Sequence, residues 1–237
     1  IAVTGQGSGT WLIDKAGDPV GRGWLWLDAR AAELVESYEE STAARRRFEL
    51  TGTGLAACDQ APQLLWMKKY QPEILSKSST AFHCKDWLYL NLTGKRTTDP
   101  SESVFSCGDF RKRNFSDEVI ELLDLNEQRA LFPQVVDGAK NYHPLKESVA
   151  KLCGLTAGVP VVLGYVDVIC TALGSGLYDP GFETGCTIIG STGMHMRYVN
   201  SVDEINLNQE STGYTMIFPV DGTYSQMQSN MAATLNI

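Results

Sequence analysis

The sequence lacks any concentration of positive charge that would suit a nucleic acid. Its 20 Lys and Arg are outnumbered by 28 Asp and Glu, which gives a formal net charge of −8. Binding to a phosphate backbone requires clustered Lys and Arg side chains. The basic run at 45–47 follows an acidic stretch, and we interpret it as the solvated face of a helix. We therefore expect no nucleic-acid partner.

Long apolar runs, a signal sequence and metal-ligand spacing are also missing. No stretch approaches the roughly 20 apolar residues of a membrane-spanning helix, so we expect no membrane partner. The six cysteines include no C-x-x-C pair, and the three histidines have no metal-binding spacing with them. In a chain of 237 residues such cysteines are typical of reduced thiols in a cytoplasmic protein. We assign no metal ligand.

What the sequence does contain is an alternation of strand and helix patterns, which predicts an α/β fold. Helices are predicted at 85–94, where Gly94 is the stop signal, and at 116–125, where Ser116 is the N-cap. Strands are predicted at 10–14, at 23–30 leading into a helix, at 159–168, and in a hairpin at 186–199.

An acidic residue closes the most apolar of these strands. Asp167 lies at the end of the run VPVVLGYVDV. A buried carboxylate is costly unless it is paired or functional. At the end of a strand it can project into the cleft where α/β proteins bind their ligands. The alternative is that Asp167 is the N-cap of the next helix, and one residue can serve both purposes.

Two glycine-rich turns are candidate ligand sites. The GSTG turn at 190–193 joins two apolar strands, and its backbone N–H groups and hydroxyls suit a phosphate. The GQGSG turn at 5–9 contains Gln6 and Ser8, which can hydrogen-bond a hydroxylated ligand. Each pattern is also compatible with an ordinary connecting turn.

Two other side chains are candidates on weaker patterns. Asp59 lies with Cys58 in a polar loop just before an apolar helix, where the ordinary role of an Asp is the N-cap. Trp24 and Trp26 point to the same face of the strand predicted at 23–30. Aromatic rings pack against the C–H faces of sugars, so Trp26 is a candidate for a sugar site, with core packing as the alternative.

Six segments occur together in an order and spacing that is not expected by chance. They are TGQGSGTWLID, WLWLDAR, TGTGLAACDQAPQLLWMKKYQPE, KDWLYLNLTGKRTTDPSES, GLTAGVPVVLGYVDVICTALGSG and GCTIIGSTG. In this order they resemble the FGGY carbohydrate kinases, the family that includes glycerol, xylulose, ribulose and erythritol kinases. The resemblance runs over nearly the whole chain.

The resemblance implies the actin-like ATPase (ribonuclease H-like) fold, an α/β fold with a mixed sheet flanked by helices. Residues 1–178 would be the N-terminal sugar-binding domain, and residues 179–237 would begin the C-terminal nucleotide-binding domain. The family's D-x-G-T phosphate hairpin and most of its second domain have no counterpart in this sequence. We therefore expect both domains to be incomplete and the chain to be a piece of a longer protein.

The resemblance also implies a sugar or polyol kinase that uses ATP and Mg²⁺. Asp167 matches the general base, which accepts the proton of the substrate hydroxyl as that hydroxyl attacks the γ-phosphate. An ionised base should face the wet cleft and not the dry core. The substrate contacts predicted in this way, together with Trp26, are Gln6, Gly7, Ser8, Asp59 with Cys58 in its loop, and Asp167. The predicted phosphate contacts are Gly190, Ser191 and Thr192.

Departures from the family pattern bear on the substrate. Gly7 and Ser8 stand where glycerol kinases carry Arg-Glu and xylulose kinases usually carry Met-His. Val168 stands where glycerol kinases carry Gln. The substrates of the glycerol and xylulose kinases can therefore not be assigned to this chain. The small residues Gly7 and Ser8, together with the acidic Asp59, favour erythritol or a pentulose. The order Gly-Ser-Thr in place of Gly-Thr-Ser leaves the phosphate donors open.

Two other functional readings stay open at this point. One is a non-catalytic sugar-binding or regulatory relative with the same fold. The other is a different actin-like ATPase, such as a chaperone, against which the D-x-L-x-x-x-L-T-G and T-D-x-S-x-S segments argue. The sequence also leaves a homodimer open.

Overall fold

A computed structural model of the chain describes residues 1–178, 185–190 and 192–230. In this part the helices are α1 (Ala32–Glu39), α2 (Thr42–Thr51), α3 (Gln60–Tyr70), α4 (Pro72–Lys77), α5 (Cys84–Thr93), α6 (Pro100–Cys107), α7 (Asp117–Leu122), α8 (Glu147–Cys153) and α9 (Asp167–Gly174). The strands are β1 (Ala2–Val3), β2 (Trp11–Ile13), β3 (Thr80–Phe82), β4 (Thr97–Thr98), β5 (Gly108–Asp109), β6 (Asn114–Phe115), β7 (Gln134–Val135), β8 (His143–Pro144), β9 (Pro160–Leu163), β10 (Gly185–Ile189), β11 (Gly193–Val199), β12 (Tyr214–Ile217) and β13 (Tyr224–Asn230). None of these helices is long and apolar enough to cross a membrane.

Short pairings of strands in the first half of the chain give way to a larger sheet near its end. The strand β9 runs parallel to β1 and antiparallel to β8, which makes a mixed three-stranded sheet. The pairs β2–β3 and β5–β6 are antiparallel, and β4–β7 is parallel. The last four strands form an antiparallel sheet in the order β10-β11-β13-β12.

Apolar clusters join the two halves of the described chain. One cluster packs α3, α4 and α7 around Leu64, Met67 and Ile120. Another extends from α6 and α9 across the last sheet, so that Val104 and Ile169 share a core with residues of β11–β13. The start of α9 is therefore held between the first half of the chain and the last sheet.

Local capping signals predicted the helix ends correctly. Gly94 follows α5 in the left-handed conformation, with φ 77°. Glycine adopts this conformation without steric strain because it has no Cβ. The Ser116 hydroxyl accepts a hydrogen bond from the Val119 N–H at the start of α7. The predicted hairpin is β10–β11, in which Thr187 pairs with His195.

Three other predictions were wrong in whole or in part. The strand predicted at 159–168 spans only Pro160–Leu163, and Asp167 begins α9. Residues 23–30 are not a strand, because Trp24 forms a single bridge to Thr10 and the chain then turns. In the basic run at 45–47, Arg47 is not solvated. It is 1% exposed and donates from Nη2 to the Thr53 carbonyl at 2.7 Å, which satisfies part of its buried guanidinium.

Candidate active site

A cavity of about 240 Å³ lies between the glycine-rich turn after β1, the loop before α3, the start of α9 and the last sheet. Its size is below the roughly 300–1,000 Å³ of sites for drug-sized ligands, which suits a small molecule. Predicted site residues from five separate stretches of sequence meet here. They are Gln6, Gly7, Ser8, Trp26, Cys58, Asp59, Asp167 and Thr192.

The glycine-rich turn has a strained backbone that close packing holds in place. Ser8 has φ 59°, which is uncommon for a residue with a side chain, and Gly9 follows with φ 77°. A Cβ on Gly9 would lie 2.4 Å from the Trp24 carbonyl oxygen. The Gly9 N–H donates to the Cys58 carbonyl at 2.9 Å, which ties the turn to the next loop. Strain of this kind persists where surrounding contacts fix it, and it is often found at functional sites.

Asp59 stands at the N-cap position of α3, but its carboxylate does not cap that helix. It accepts hydrogen bonds from the Ser8 hydroxyl at 2.9 Å and from the Ala56 N–H at 2.9 Å. The residue is 1% exposed, and burial raises its pKa to about 6 against the effect of these two donors. The carboxyl thus links the turn at 5–9 to the loop at 51–60 across the cavity wall. Burial also raises the pKa of the Cys58 thiol to about 12, so this thiol is not a nucleophile at neutral pH.

Asp167 is exposed and lies at the first position of α9, where Val166 is the N-cap. Its Oδ1 accepts a hydrogen bond from the Val168 N–H at 2.7 Å. Its own N–H donates to the Gly5 carbonyl at 2.9 Å, which attaches the start of α9 to the turn. Partial desolvation raises the pKa of Asp167, and the bond from Val168 opposes that shift. The side chain therefore faces the open cavity, as an ionised base requires, with a basicity above the ordinary value for Asp.

Only some of the predicted tryptophans and hairpin residues line the cavity. Trp24 is 9% exposed and packs in the core, whereas Trp26 lines the cavity. Thr192 lines the cavity too. Gly190 is not among the lining residues, and its N–H donates to the Thr192 carbonyl at 2.9 Å. Ser191 lies outside the described residues.

Several lining residues were not predicted from the sequence. Phe105 stacks on Tyr214 with ring centroids 5.5 Å apart, and Met194, Met216 and Met227 complete an apolar wall. Glu102 lines the same cavity and is 1% exposed. A sequence signal was available only for Glu102, because it lies within the T-D-x-S-x-S segment.

A buried group of charges lies behind Glu102. The Lys85 ammonium contacts the Asp99 carboxylate and lies 3.1 Å from Asp86 Oδ1. Asp99 caps α6 by accepting the Ser101 N–H at 2.8 Å. The Ser101 hydroxyl donates to Asp99 at 2.5 Å and accepts the Val166 N–H at 3.0 Å. The buried charges are therefore connected to the backbone that immediately precedes Asp167.

Within residues 1–178, 185–190 and 192–230, no group of three His, Cys, Asp or Glu side chains is arranged to hold a metal ion.

Comparison with known proteins identifies the family pattern independently of this geometry. The model of the FGGY family of carbohydrate kinases, N-terminal domain, matches residues 1–174. An erythritol kinase of Brucella abortus (strain 2308) is 52% identical over 237 residues, which are 100% of this chain and 45% of that protein. A xylulose kinase of Staphylococcus xylosus is 27% identical over 210 residues, 87% of this chain and 42% of that protein. The chain spans about half the length of the curated relatives it matches.

The fold is also found among solved structures. The crystal structure of xylulose kinase from Rhodospirillum rubrum superposes with a TM-score of 0.85 over 98% of this chain and 47% of that chain. The two sequences are 19% identical in that superposition, so this likeness concerns the fold alone.

Proposed function

Because this chain belongs to the FGGY family of carbohydrate kinases, we propose that its protein transfers the γ-phosphoryl group of ATP to a hydroxyl of a sugar or polyol. The chain has the actin-like ATPase fold, a mixed sheet flanked by helices. We propose erythritol as the substrate, since the relative that matches the full chain at 52% identity is an erythritol kinase. A pentulose is the second choice. The observation that carries the proposal is the convergence of the predicted site residues on one small cavity.

Asp167 is the proposed general base. Phosphoryl transfer requires the acceptor hydroxyl in line with the leaving group, a group to take its proton, and neutralisation of charge on the phosphates. Asp167 is exposed to the cavity, its N–H is fixed to Gly5, and burial raises its pKa without removing it from solvent. A carboxylate in this state accepts a proton from a hydroxyl whose acidity rises as its oxygen bonds to phosphorus.

The turn at 5–9 and Asp59 are proposed to hold the substrate hydroxyls. Gln6 Nε2 is a buried donor with no partner in the described structure, so a ligand oxygen in the cavity would satisfy it. Asp59 fixes the Ser8 hydroxyl, and Trp26 offers a ring face for the C–H groups of the substrate. A polyol presents both hydroxyl and C–H surfaces, which this combination matches.

The phosphates of ATP are proposed to approach the hairpin at 190–192. Thr192 reaches the cavity from that hairpin, and Asp167 lines the same cavity. Mg²⁺ would neutralise charge on the transferred phosphoryl group, and we propose that it enters with the nucleotide. We also propose that residues 1–178 serve the substrate and that residues 179–237 begin the nucleotide-binding domain.

The decisive experiment is a coupled ADP-release assay on the full-length protein that carries this chain. Erythritol, glycerol, the pentitols, and both xyluloses and ribuloses are offered in turn, with Asp167→Asn and the control Asp203→Asn beside the wild type. Asp203 is exposed and lies outside the cavity. Loss of a general base lowers kcat by about 10²–10⁴-fold. We expect that loss for Asp167→Asn with erythritol binding retained, and no change for Asp203→Asn.

Two results would contradict the proposal. Turnover of Asp167→Asn at the wild-type rate would remove Asp167 from the chemistry. Binding of a polyol without any ADP release would instead indicate the non-catalytic sugar-binding relative.

A further inference from the structure

Glu102 is a buried carboxyl that the proposed mechanism does not use. It lies in the first turn of α6, is 1% exposed, and lines the same cavity as Asp59 and Asp167. Its Oε1 is buried and has no hydrogen-bond partner in the described structure. An unsatisfied buried carboxyl oxygen is costly, so a partner is expected when the cavity is filled.

The other oxygen of Glu102 lies near a buried histidine. Oε2 lies 3.6 Å from His83 Nε2, and His83 Nδ1 lies 3.4 Å from Asp86 Oδ2. The imidazole is 3% exposed and stands between the two carboxyls. Burial acts to lower the pKa of His83, but Glu102 and Asp86 outweigh it and the net shift is upward. His83 therefore lies at ion-pair distance from one oxygen of Glu102, and the other oxygen has no hydrogen-bond partner in the described structure.

The route from the cavity to Glu102 is kept open by Gly7. A Cβ placed on Gly7 would lie 2.7 Å from Val166 Cγ2 and within 3.9 Å of both Glu102 oxygens. A side chain there would occupy the space in front of the carboxyl. The smallest residue thus stands where the substrate would have to reach Glu102.

The charges around the cavity indicate what kind of group would meet Glu102. Among the lining residues that the structure describes there are three acids, Asp59, Glu102 and Asp167, and no Lys, Arg or His. An anionic substituent on the acceptor would be repelled by these acids, whereas the phosphates of ATP are proposed to arrive with Mg²⁺. A neutral hydroxyl can donate to a carboxylate or accept from a carboxylic acid, so it suits Glu102 in either protonation state.

From this geometry we propose that Glu102 is a substrate-binding residue, whose Oε1 hydrogen-bonds a hydroxyl of an uncharged polyol in the cavity while its Oε2 stays beside His83. This inference rests on the proposed function and extends it to a residue outside the turn at 5–9 and α9. It also restricts the substrate class to polyols or ketoses without a carboxylate or phosphate group.

The test is calorimetric binding of erythritol to the full-length protein without nucleotide. Wild type, Glu102→Gln and Glu102→Asp are compared with Glu121→Gln, a control on the exposed face of α7. Each variant is also titrated with 1-deoxyerythritol and 2-deoxyerythritol. We expect the Glu102 variants to bind erythritol at least ten-fold more weakly than wild type, and Glu121→Gln to match wild type.

The deoxy compounds separate a contact from a structural effect. If Glu102 touches a hydroxyl, removal of that hydroxyl weakens wild-type binding but leaves binding to the Glu102 variants almost unchanged. If the Glu102 variants bind erythritol as wild type does, or lose affinity equally for all three ligands, the role of Glu102 is overturned. If wild type neither binds nor phosphorylates any polyol, the proposed function fails, and the assignment of Glu102 fails with it.

Discussion

Replacement of Lys85 by Met should strongly destabilise the protein, although methionine nearly keeps the volume of the side chain. The Lys85 side chain is 0% exposed, and so are the two carboxylates that it contacts, Asp86 and Asp99. Methionine keeps the apolar stem but removes the cation. Two buried anions then lose the charge of Lys85, and breaking a buried ion pair from one side costs about 3–5 kcal/mol.

Hydrogen bonds limit that cost. Asp86 still accepts the Thr98 hydroxyl at 2.9 Å, and Asp99 still accepts the Ser101 N–H and hydroxyl. We therefore expect a loss near the middle of the range, about 4 kcal/mol at pH 7. Urea unfolding measures it, with Lys151→Met on the exposed end of α8 as the control. The control should change the free energy of unfolding by less than about 0.5 kcal/mol.

The pH dependence of this stability loss tests whether it comes from the missing charge of Lys85. Burial acts to raise the pKa of Asp86, but Lys85 and His83 together outweigh it and the net shift is downward. A lowered pKa stabilises the fold above the unfolded value near 4, and this stabilisation is lost as pH falls through the folded pKa. The deficit of Lys85→Met should therefore shrink as pH falls below about 4 towards the folded pKa of Asp86, because the stabilisation that Lys85 gives this carboxylate is lost there. A loss under about 1 kcal/mol at pH 7, or one that is constant from pH 7 to pH 3, would refute the reasoning.

Three other predictions concern stability. Gly9→Ala should cost about 3 kcal/mol in urea unfolding, because its Cβ would lie 2.4 Å from the Trp24 carbonyl oxygen at a φ of 77°; a cost under about 1 kcal/mol would contradict the packing described. The raised pKa of Asp59, about 6, stabilises the fold at low pH and loses that effect as pH rises from about 4 to 6. Asp59→Asn should thus gain up to about 3 kcal/mol relative to wild type between pH 4 and pH 7, and parallel stability curves would be evidence against it. Arg129→Ala should cost less than about 1 kcal/mol in the same assay, since its ion pair with Asp117 is exposed.

Local signals in the sequence predicted those parts of the fold that depend on a few neighbouring residues. Gly94 ends α5, and Ser116 begins α7, because each satisfies backbone groups of its own helix. The segment at 23–30 has the apolar pattern of a strand, but a strand also needs a partner along its length. Trp24 has that partner at one position, Thr10, and the pattern alone could not show this.

The residues of the candidate site could likewise be predicted from the sequence only in part. Gln6, Ser8, Asp59 and Asp167 were predicted because each lies in a short segment with a recognisable pattern, and the structure places them around one cavity. Glu102 lies within the T-D-x-S-x-S segment, but that pattern alone does not place it at the cavity. Its contact with the cavity arises from the packing of α6 against a turn that is nearly a hundred residues earlier, which no local rule describes.

The hydroxyl of Ser101 has a consequence for how a change outside the cavity would reach the site. It joins Asp99 to the Val166 N–H, and the next N–H, that of Asp167, is bonded to Gly5. The proposed base and the turn proposed to hold the acceptor are thus connected to the same backbone segment. A substitution at Ser101 would therefore disturb both of them at once, although Ser101 does not line the cavity.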